Sequence, residues 1–245
     1  MTKAPNEELF DQLMAMCQSV TPYLKGELGC SNDAMIRAEP ADSAVVQQLL
    51  AALKAAHPEA GEAYWLTRTW DLLCWQPLYI SMIGIYGLGC LPQFHGFAQQ
   101  RVESYIMGFR FQQPVMHQGP SAELITLAGE YLTGLFGHYR RVVNELARCP
   151  KGFTQLLLAD ALMANLMLLQ KLKPEFTGDR VAEQAKAWMQ AFHLPEKHLS
   201  ALQLQNNGNI KFVRRSCCLV YKTESGQLCS DCPRLHRNEK RASIN

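Results

Sequence analysis

The sequence predicts an α+β fold that is mainly α-helical, with a small antiparallel β element and a cysteine-rich segment near the C-terminus. Three observations support this prediction. Several segments repeat apolar residues at helical spacing, one stretch partly alternates aromatic and β-branched residues, and four of the nine cysteines lie between residues 217 and 232. A chain of 245 residues, 48% of them hydrophobic, is long enough to bury a full core.

Helices are predicted wherever apolar residues recur at every third or fourth position, because this spacing places them on one face of a helix. The pattern covers residues 7–20, 43–56, 121–147, 153–171 and 180–193. Residues 102–117 instead mix aromatic and β-branched side chains in partial alternation, which is typical of a strand or hairpin.

The longest uncharged stretch, residues 72–100, is predicted to be a buried helix with a kink rather than a membrane span. Pro77 and the glycines Gly84, Gly87 and Gly89 interrupt its most apolar part. The glycines follow the order G-x-x-G-x-G, the reverse of the dinucleotide fingerprint, so no nicotinamide or flavin site is predicted. Because the N-terminus is acidic and lacks a signal-like apolar run, we expect a cytoplasmic protein, with room for peripheral contact at the inner membrane.

The cysteines divide into two groups. Five are scattered and are predicted to be small buried hydrophobic residues: Cys17, Cys30, Cys74, Cys90 and Cys149. The other four are Cys217, Cys218, Cys229 and Cys232. A reducing compartment and an odd number of cysteines argue against disulfides, so four clustered thiols indicate a metal centre.

The chain around these four thiols is predicted to form a hairpin. Asn207 and Gly208 form a turn signal, residues 210–216 are predicted to be a strand and residues 218–223 an extended segment, and Ser225 and Gly226 would fold the chain back. Such a hairpin would carry the last two thiols toward the first two.

Zinc and a [2Fe–2S] cluster are the two candidates for the metal centre. Structural zinc usually takes two C-x-x-C knuckles, whereas one knuckle is replaced here by adjacent cysteines whose side chains diverge in an extended chain. A two-iron cluster needs only two thiolates at each iron, so the spacing favours [2Fe–2S] while zinc stays open. From Lys211 onward eight basic residues face three acidic ones, which would offset the negative charge of such a cluster.

The string RRSCCLVYK followed by CSDCP, a C-C-x10-C-x2-C arrangement, resembles the FhuF-type ferric-siderophore reductases. This resemblance implies a [2Fe–2S] cluster on Cys217, Cys218, Cys229 and Cys232, and one-electron reduction of iron(III) held by a hydroxamate-type siderophore. It also implies a helical body with the substrate pocket over residues 1–206 and a cluster-binding segment over residues 207–245.

Arg214, Arg215 and Lys222 are the candidate contacts for an anionic siderophore, since they flank the thiols in sequence. With no nucleotide motif of its own, the protein would take electrons from an external donor such as a ferredoxin or a flavoprotein reductase. Two other hypotheses stay open. The first is an iron–sulfur sensor. The second is a zinc-stabilised module that binds nucleic acid. No nucleic-acid-binding motif is visible, so a nucleic-acid partner is not expected.

Overall fold

The computed structural model describes residues 5–38, 43–205 and 209–242, and most of them are helical. All five segments predicted from helical spacing are helices, with ends that differ by a few residues. The helices are α1 (Pro5–Val20), α2 (Ser43–Ala56), α3 (Glu62–Ile83), α4 (Ser121–Leu146), α5 (Lys151–Leu172), α6 (Gly178–Ala191) and α7 (Pro233–Ala242).

The strands are short and form three small sheets. They are β1 (Gly26–Leu28), β2 (Met35–Arg37), β3 (Cys90–Pro92), β4 (Ala98–Val102), β5 (Tyr105–Phe111), β6 (Met116–Gln118), β7 (Leu202–Leu204) and β8 (Ile210–Phe212). The largest sheet has the order β1-β5-β4-β2, and its β4/β5 hairpin confirms the prediction for residues 102–117. Its β1/β5 pair is parallel, whereas the other pairs are antiparallel.

Helix α3 is the central element of the body. It contacts α1, α2, α4, α5 and the sheet, and its apolar side chains are buried on several faces, as the uncharged sequence from Leu72 onward predicts. Pro77 lies inside this helix, and a π-helical turn over Gly84–Leu88 follows, ending at Gly89 in the left-handed conformation (φ 62°). The buried, interrupted helix predicted within residues 72–100 is therefore confirmed.

Buried polar groups tie α3 to its neighbours. The Gln99 amide on β4 donates to the Leu73 carbonyl at 2.9 Å and lies 3.0 Å from the Tyr139 hydroxyl of α4.

Among the described helices, α5 is long and apolar enough to cross a membrane by length and composition, but it packs against α3 and α6 in the core.

The predicted hairpin around the thiols is wrong in its pairing. Only Ile210–Phe212 is a strand, and it pairs with Leu202–Leu204, which precedes it in the chain. The segment predicted to be extended contains a 3-10 turn over Val220–Lys222 instead. Residues 218–223 do not pair with a strand, because the chain changes direction at Leu219, directly after the adjacent cysteines. The turn signal at Asn207 and Gly208 lies outside the described residues.

Two glycines of α4 test the close packing of the helices. A methyl group on Gly129 would lie 2.4 Å from the Ala191 carbonyl oxygen at the end of α6, whereas one on Gly134 would meet nothing within 4 Å. We expect Gly129→Ala to lower the free energy of unfolding by about 1–3 kcal/mol through overpacking. Gly134→Ala should raise it by up to about 1 kcal/mol, because alanine is the better helix former. Urea denaturation of both variants measures the free energy of unfolding. Equal changes in the two variants would contradict the close contact of Gly129 with α6.

Candidate metal centre and adjoining cavity

The four clustered thiols meet as two pairs. The sulfurs of Cys218 and Cys229 lie 3.9 Å apart, and the Cys217 thiol is within hydrogen-bonding contact of Cys232. Two sulfurs on one tetrahedral metal, with bonds of about 2.3 Å, would be about 3.8 Å apart. Among the described residues, no three Cys, His, Asp or Glu side chains converge on a single point. The arrangement therefore fits two metal ions with two thiolates each.

The backbone at Leu219 explains how adjacent cysteines join different pairs. Leu219 adopts the left-handed conformation (φ 60°), which is uncommon for a branched residue and turns the chain sharply after Cys218. Its N–H group also donates to the Cys217 sulfur. On the other side, Cys232 N–H donates to the Cys229 carbonyl at 3.0 Å, closing the C-S-D-C knuckle directly before α7.

Two of the thiols, Cys217 and Cys229, are poor anions without a metal. Burial raises the pKa of both Cys217 and Cys229, although the Leu219 N–H group partly opposes this for Cys217. The Asp231 carboxylate, a hydrogen-bonding partner of the Cys229 thiol, raises the pKa of Cys229 further. Four thiolates so close together need strongly positive metal ions to stay deprotonated. The donor set is accordingly suited to an iron–sulfur cluster.

A buried carboxylate in α5 anchors the chain before the first thiol. Asp160, only 1% exposed, accepts hydrogen bonds from the backbone N–H groups of Arg215 (3.1 Å) and Ser216 (2.6 Å), and from the Ser216 hydroxyl. Hydrogen bonds to a charged acceptor are about twice as strong as neutral ones. Asp160 therefore fixes Cys217 relative to the helical body.

Two further contacts hold the segment in place. The Arg215 guanidinium donates to the Lys197 carbonyl and lies 3.1 Å from the Ser200 hydroxyl, in the 3-10 turn over Glu196–Ala201. On the opposite side, the Glu59 carboxylate accepts the Glu224 N–H group at 2.9 Å. The segment is thus held against the body at two places, before Cys217 and between Cys218 and Cys229.

An ion pair connects the knuckle to the chain that leads into Cys217. Arg214 Nε lies 2.7 Å from an Asp231 carboxylate oxygen, and both side chains are 23% exposed. Burial alone would raise the pKa of Asp231, but its bonds to Arg214 outweigh burial and hold the pKa below its usual value. Since Asp231 lies between Cys229 and Cys232, Arg214 fixes the orientation of the second half of the motif.

Arg214 also lines a cavity with a volume of about 780 Å³. Helices α3 and α5 and the β4/β5 hairpin form the other walls. The polar lining residues are Arg68, Asp71, Glu103, Asn165 and Arg214, and the aromatic ones are Tyr23, Trp70, Trp75, Tyr79 and Tyr105. A concave, largely apolar space with a few converging polar groups is typical of a small-molecule site.

The cavity approaches the Cys218/Cys229 pair along two routes. Arg214 leads to it through Asp231, which contacts Cys229. The buried Tyr64 leads to it as well, because its hydroxyl lies within electrostatic reach of Arg68 and Tyr105 at the cavity and of Cys218. Arg214 and Tyr64 therefore connect the cavity wall to this thiol pair.

Asp71 is the unusual group in the cavity. Burial raises the pKa of its carboxyl to about 6, and the opposing attraction of Arg214 and Arg68 does not cancel that rise. The carboxyl is half-buried and opens onto the cavity. Near pH 6 the cavity therefore changes its net charge.

The structure separates the three sequence-predicted substrate residues. Arg214 lines the cavity, whereas Arg215 is bound to the 3-10 turn and Lys222 is exposed outside the cavity. Sequence reasoning missed Asp160 and Asp71. A signal for Asp160 existed, since it is the only charged residue between Lys151 and Lys171.

Removing the Asp160 carboxylate should loosen the segment that holds the thiols. In Asp160→Ala, two backbone N–H groups and a buried hydroxyl lose their acceptor, at a cost of about 1–3 kcal/mol each. We expect faster amide hydrogen exchange at residues 214–218, while exchange in the core of α3 changes little. Ser216→Ala removes one donor of the three and should have the smallest effect. Identical exchange in Asp160→Ala and wild type would contradict the anchor.

The raised pKa of Asp71 predicts a pH-dependent stability. The unfolded carboxyl titrates near 3.8 and the folded one at about 6, so folding stability is lost as the pH rises through this range. Asp71→Asn should therefore gain stability over wild type between pH 4.5 and 8, by at most about 3 kcal/mol. Urea denaturation at several pH values measures this, with Glu130→Gln, an exposed carboxylate on α4, as the control. Parallel curves for Asp71→Asn and wild type would contradict it.

Comparison with known proteins agrees with this geometry. Residues 214–234 match the family model of the FhuF 2Fe-2S C-terminal domain, which covers all four paired cysteines. No solved structure matches the chain. The match supports a [2Fe–2S] cluster rather than zinc, and it confirms the resemblance predicted from the cysteine spacing. Over residues 214–234 the C-terminal segment of this chain is thus similar to the FhuF-type [2Fe–2S] domain.

Proposed function

We propose that the protein is a cytoplasmic ferric-siderophore reductase that acts on hydroxamate-type siderophores. The observation that carries this proposal is the ion pair between Arg214, which lines the cavity, and Asp231, which lies within the cysteine knuckle. It joins a space of about 780 Å³, large enough for a compact iron chelate, to the cluster-binding segment.

In this proposal the four cysteines hold the cluster as the two observed pairs. Cys218 and Cys229 would hold one iron, and Cys217 and Cys232 would hold the other. When bound, the cluster supplies one electron at a time, at a potential that can lie near the roughly −400 mV of plant-type ferredoxins. Asp231, the partner of Arg214, contacts Cys229, so Cys218/Cys229 is the pair connected to the cavity wall.

The cavity residues bind and orient the ferric chelate. Arg68 and Arg214 attract the anionic oxygens that hold iron(III), while the aromatic walls contact the organic backbone of the siderophore. Hard oxygen ligands bind iron(II) more weakly because it carries one positive charge less, so one electron is enough to release the iron. Walls that exclude bulk water and dioxygen limit loss of the electron to other acceptors.

The electron itself comes from outside the chain. A ferredoxin or a flavoprotein reductase in the cytoplasm would serve as donor, and peripheral contact with the inner membrane would place the protein where imported siderophores arrive. Each cycle takes one electron from the donor and delivers one electron to one iron(III), which leaves as iron(II).

Anaerobic reoxidation by a ferric chelate tests the proposal. Chemically reduced protein mixed with a ferric hydroxamate should recover its oxidised spectrum, while a ferrous trap such as ferrozine reports one iron(II) per cluster. Arg68→Gln should slow this step about tenfold, because loss of one cavity contact worth about 1.4 kcal/mol changes a rate by that factor. Lys186→Gln, an exposed position on α6, is the matched control.

Two outcomes would contradict the proposal. If no ferric siderophore reoxidises the reduced protein, the reductase function is wrong, and binding of DNA that depends on the cluster state would favour the sensor. If Arg68→Gln and Lys186→Gln reoxidise at the same rate, the ferric chelate does not occupy the cavity.

A further inference from the structure

We propose that the surface on the solvent side of the Cys218/Cys229 pair docks a small acidic protein that carries one electron, of the ferredoxin class. This surface, called the outer face below, consists of Val220, Lys222, Leu228, Arg234 and Arg237. The inference rests on the proposed function and identifies where, and by which chemistry, the cluster receives its electron.

The outer face has an apolar centre. Val220 is 37% and Leu228 38% exposed, and they are among the few large apolar residues of the described chain that are so open to solvent. Val220 lies two residues after Cys218 and Leu228 directly precedes Cys229, so both flank the thiol pair whose sulfurs lie 3.9 Å apart. Protein interfaces bury such apolar residues at the centre of a polar rim.

The rim of the outer face is basic. Between residues 211 and 237 there are six basic and two acidic side chains, and one of the acids, Asp231, is already paired with Arg214. Lys222, Arg234 and Arg237 are exposed. The Arg234 guanidinium lies over the Tyr221 ring, 4.7 Å from its centroid, which holds it in place. Such a surface attracts an acidic protein, and the attraction accelerates its encounter.

The outer face is distinct from the cavity. None of its five residues lines the cavity, whereas Arg214, on the other side of Asp231, does. The outer face and the cavity are thus separate surfaces, and each is connected to the Cys218/Cys229 pair through different residues. A protein donor can therefore bind while the ferric chelate occupies the cavity, and the electron passes from the reduced ferredoxin to the cluster, leaving the ferredoxin oxidised.

The two half-reactions can be measured separately. The first is reduction of the oxidised cluster by a reduced plant-type ferredoxin, followed anaerobically by stopped flow at low and high salt. The second is reoxidation of the dithionite-reduced protein by a ferric hydroxamate. The variants are Lys222→Glu and Arg234→Glu in the rim, Leu228→Ser in the centre, and Lys186→Glu on α6 as the matched charge reversal elsewhere.

We expect each rim variant to slow reduction by ferredoxin about fivefold to tenfold at low salt. This difference should largely vanish at 1 M salt, where the screening length falls to about 3 Å. Leu228→Ser should slow it at both salt concentrations, because its contact is apolar. Reoxidation by the ferric hydroxamate and reduction by dithionite should stay at the wild-type rate in all four variants.

The visible absorbance of each variant shows whether the cluster is intact. If Arg234→Glu loses the cluster, the test relies on Lys222→Glu and Leu228→Ser. Equal rates of reduction by ferredoxin for Lys222→Glu, Leu228→Ser and Lys186→Glu would overturn the docking surface. Failure of every ferric chelate to reoxidise the protein would instead overturn the proposed reductase function, and the salt-dependent reduction by ferredoxin would still be measurable on its own.

Discussion

The position of the metal centre depends on one buried carboxylate. Asp160 is nearly inaccessible to solvent and accepts three hydrogen bonds from Arg215 and Ser216, which leaves no freedom for the chain that leads into Cys217. A carboxylate in an apolar helix is costly unless such donors surround it. The buried carboxylate of helix α5 needs hydrogen-bond donors, and the cysteine segment supplies them. These same hydrogen bonds hold the segment in place against the body.

From this anchor the remaining contacts follow in order. With Ser216 fixed, the diverging side chains of Cys217 and Cys218 contact different partners on the knuckle, and the left-handed turn at Leu219 redirects the chain directly after them. The knuckle is oriented in turn by Asp231 and Arg214. Because Arg214 also reaches the cavity, the geometry of the metal centre and that of the cavity are set by the same few residues.

The helices and the metal-binding cysteines could be predicted from the sequence, and the pairing around the thiols could not. Helical periodicity and cysteine spacing are local signals, so they survive without knowledge of the tertiary structure. The strand Ile210–Phe212 pairs with Leu202–Leu204 instead of the segment after it, because Asp160 and Leu219 redirect the chain between them. The cavity joins α3, α5 and a hairpin that are far apart in sequence, so no local pattern could identify Arg68 or Asp71 as neighbours.

The charges around the centre have different effects on its two sides. Inside, Arg68 and Arg214 are matched in number by Asp71 and Glu103, and Arg214 is also paired with Asp231, so the cavity wall carries few unbalanced charges. Outside, Lys222, Arg234 and Arg237 have few acidic neighbours within the described segment and remain exposed to solvent. Paired charges in a half-buried wall act at short range on a bound ligand, whereas unbalanced surface charges act over about 10 Å at 0.1 M salt. The basic residues that would bind a small chelate and those that would bind a protein partner therefore differ in how far nearby acidic residues neutralise them.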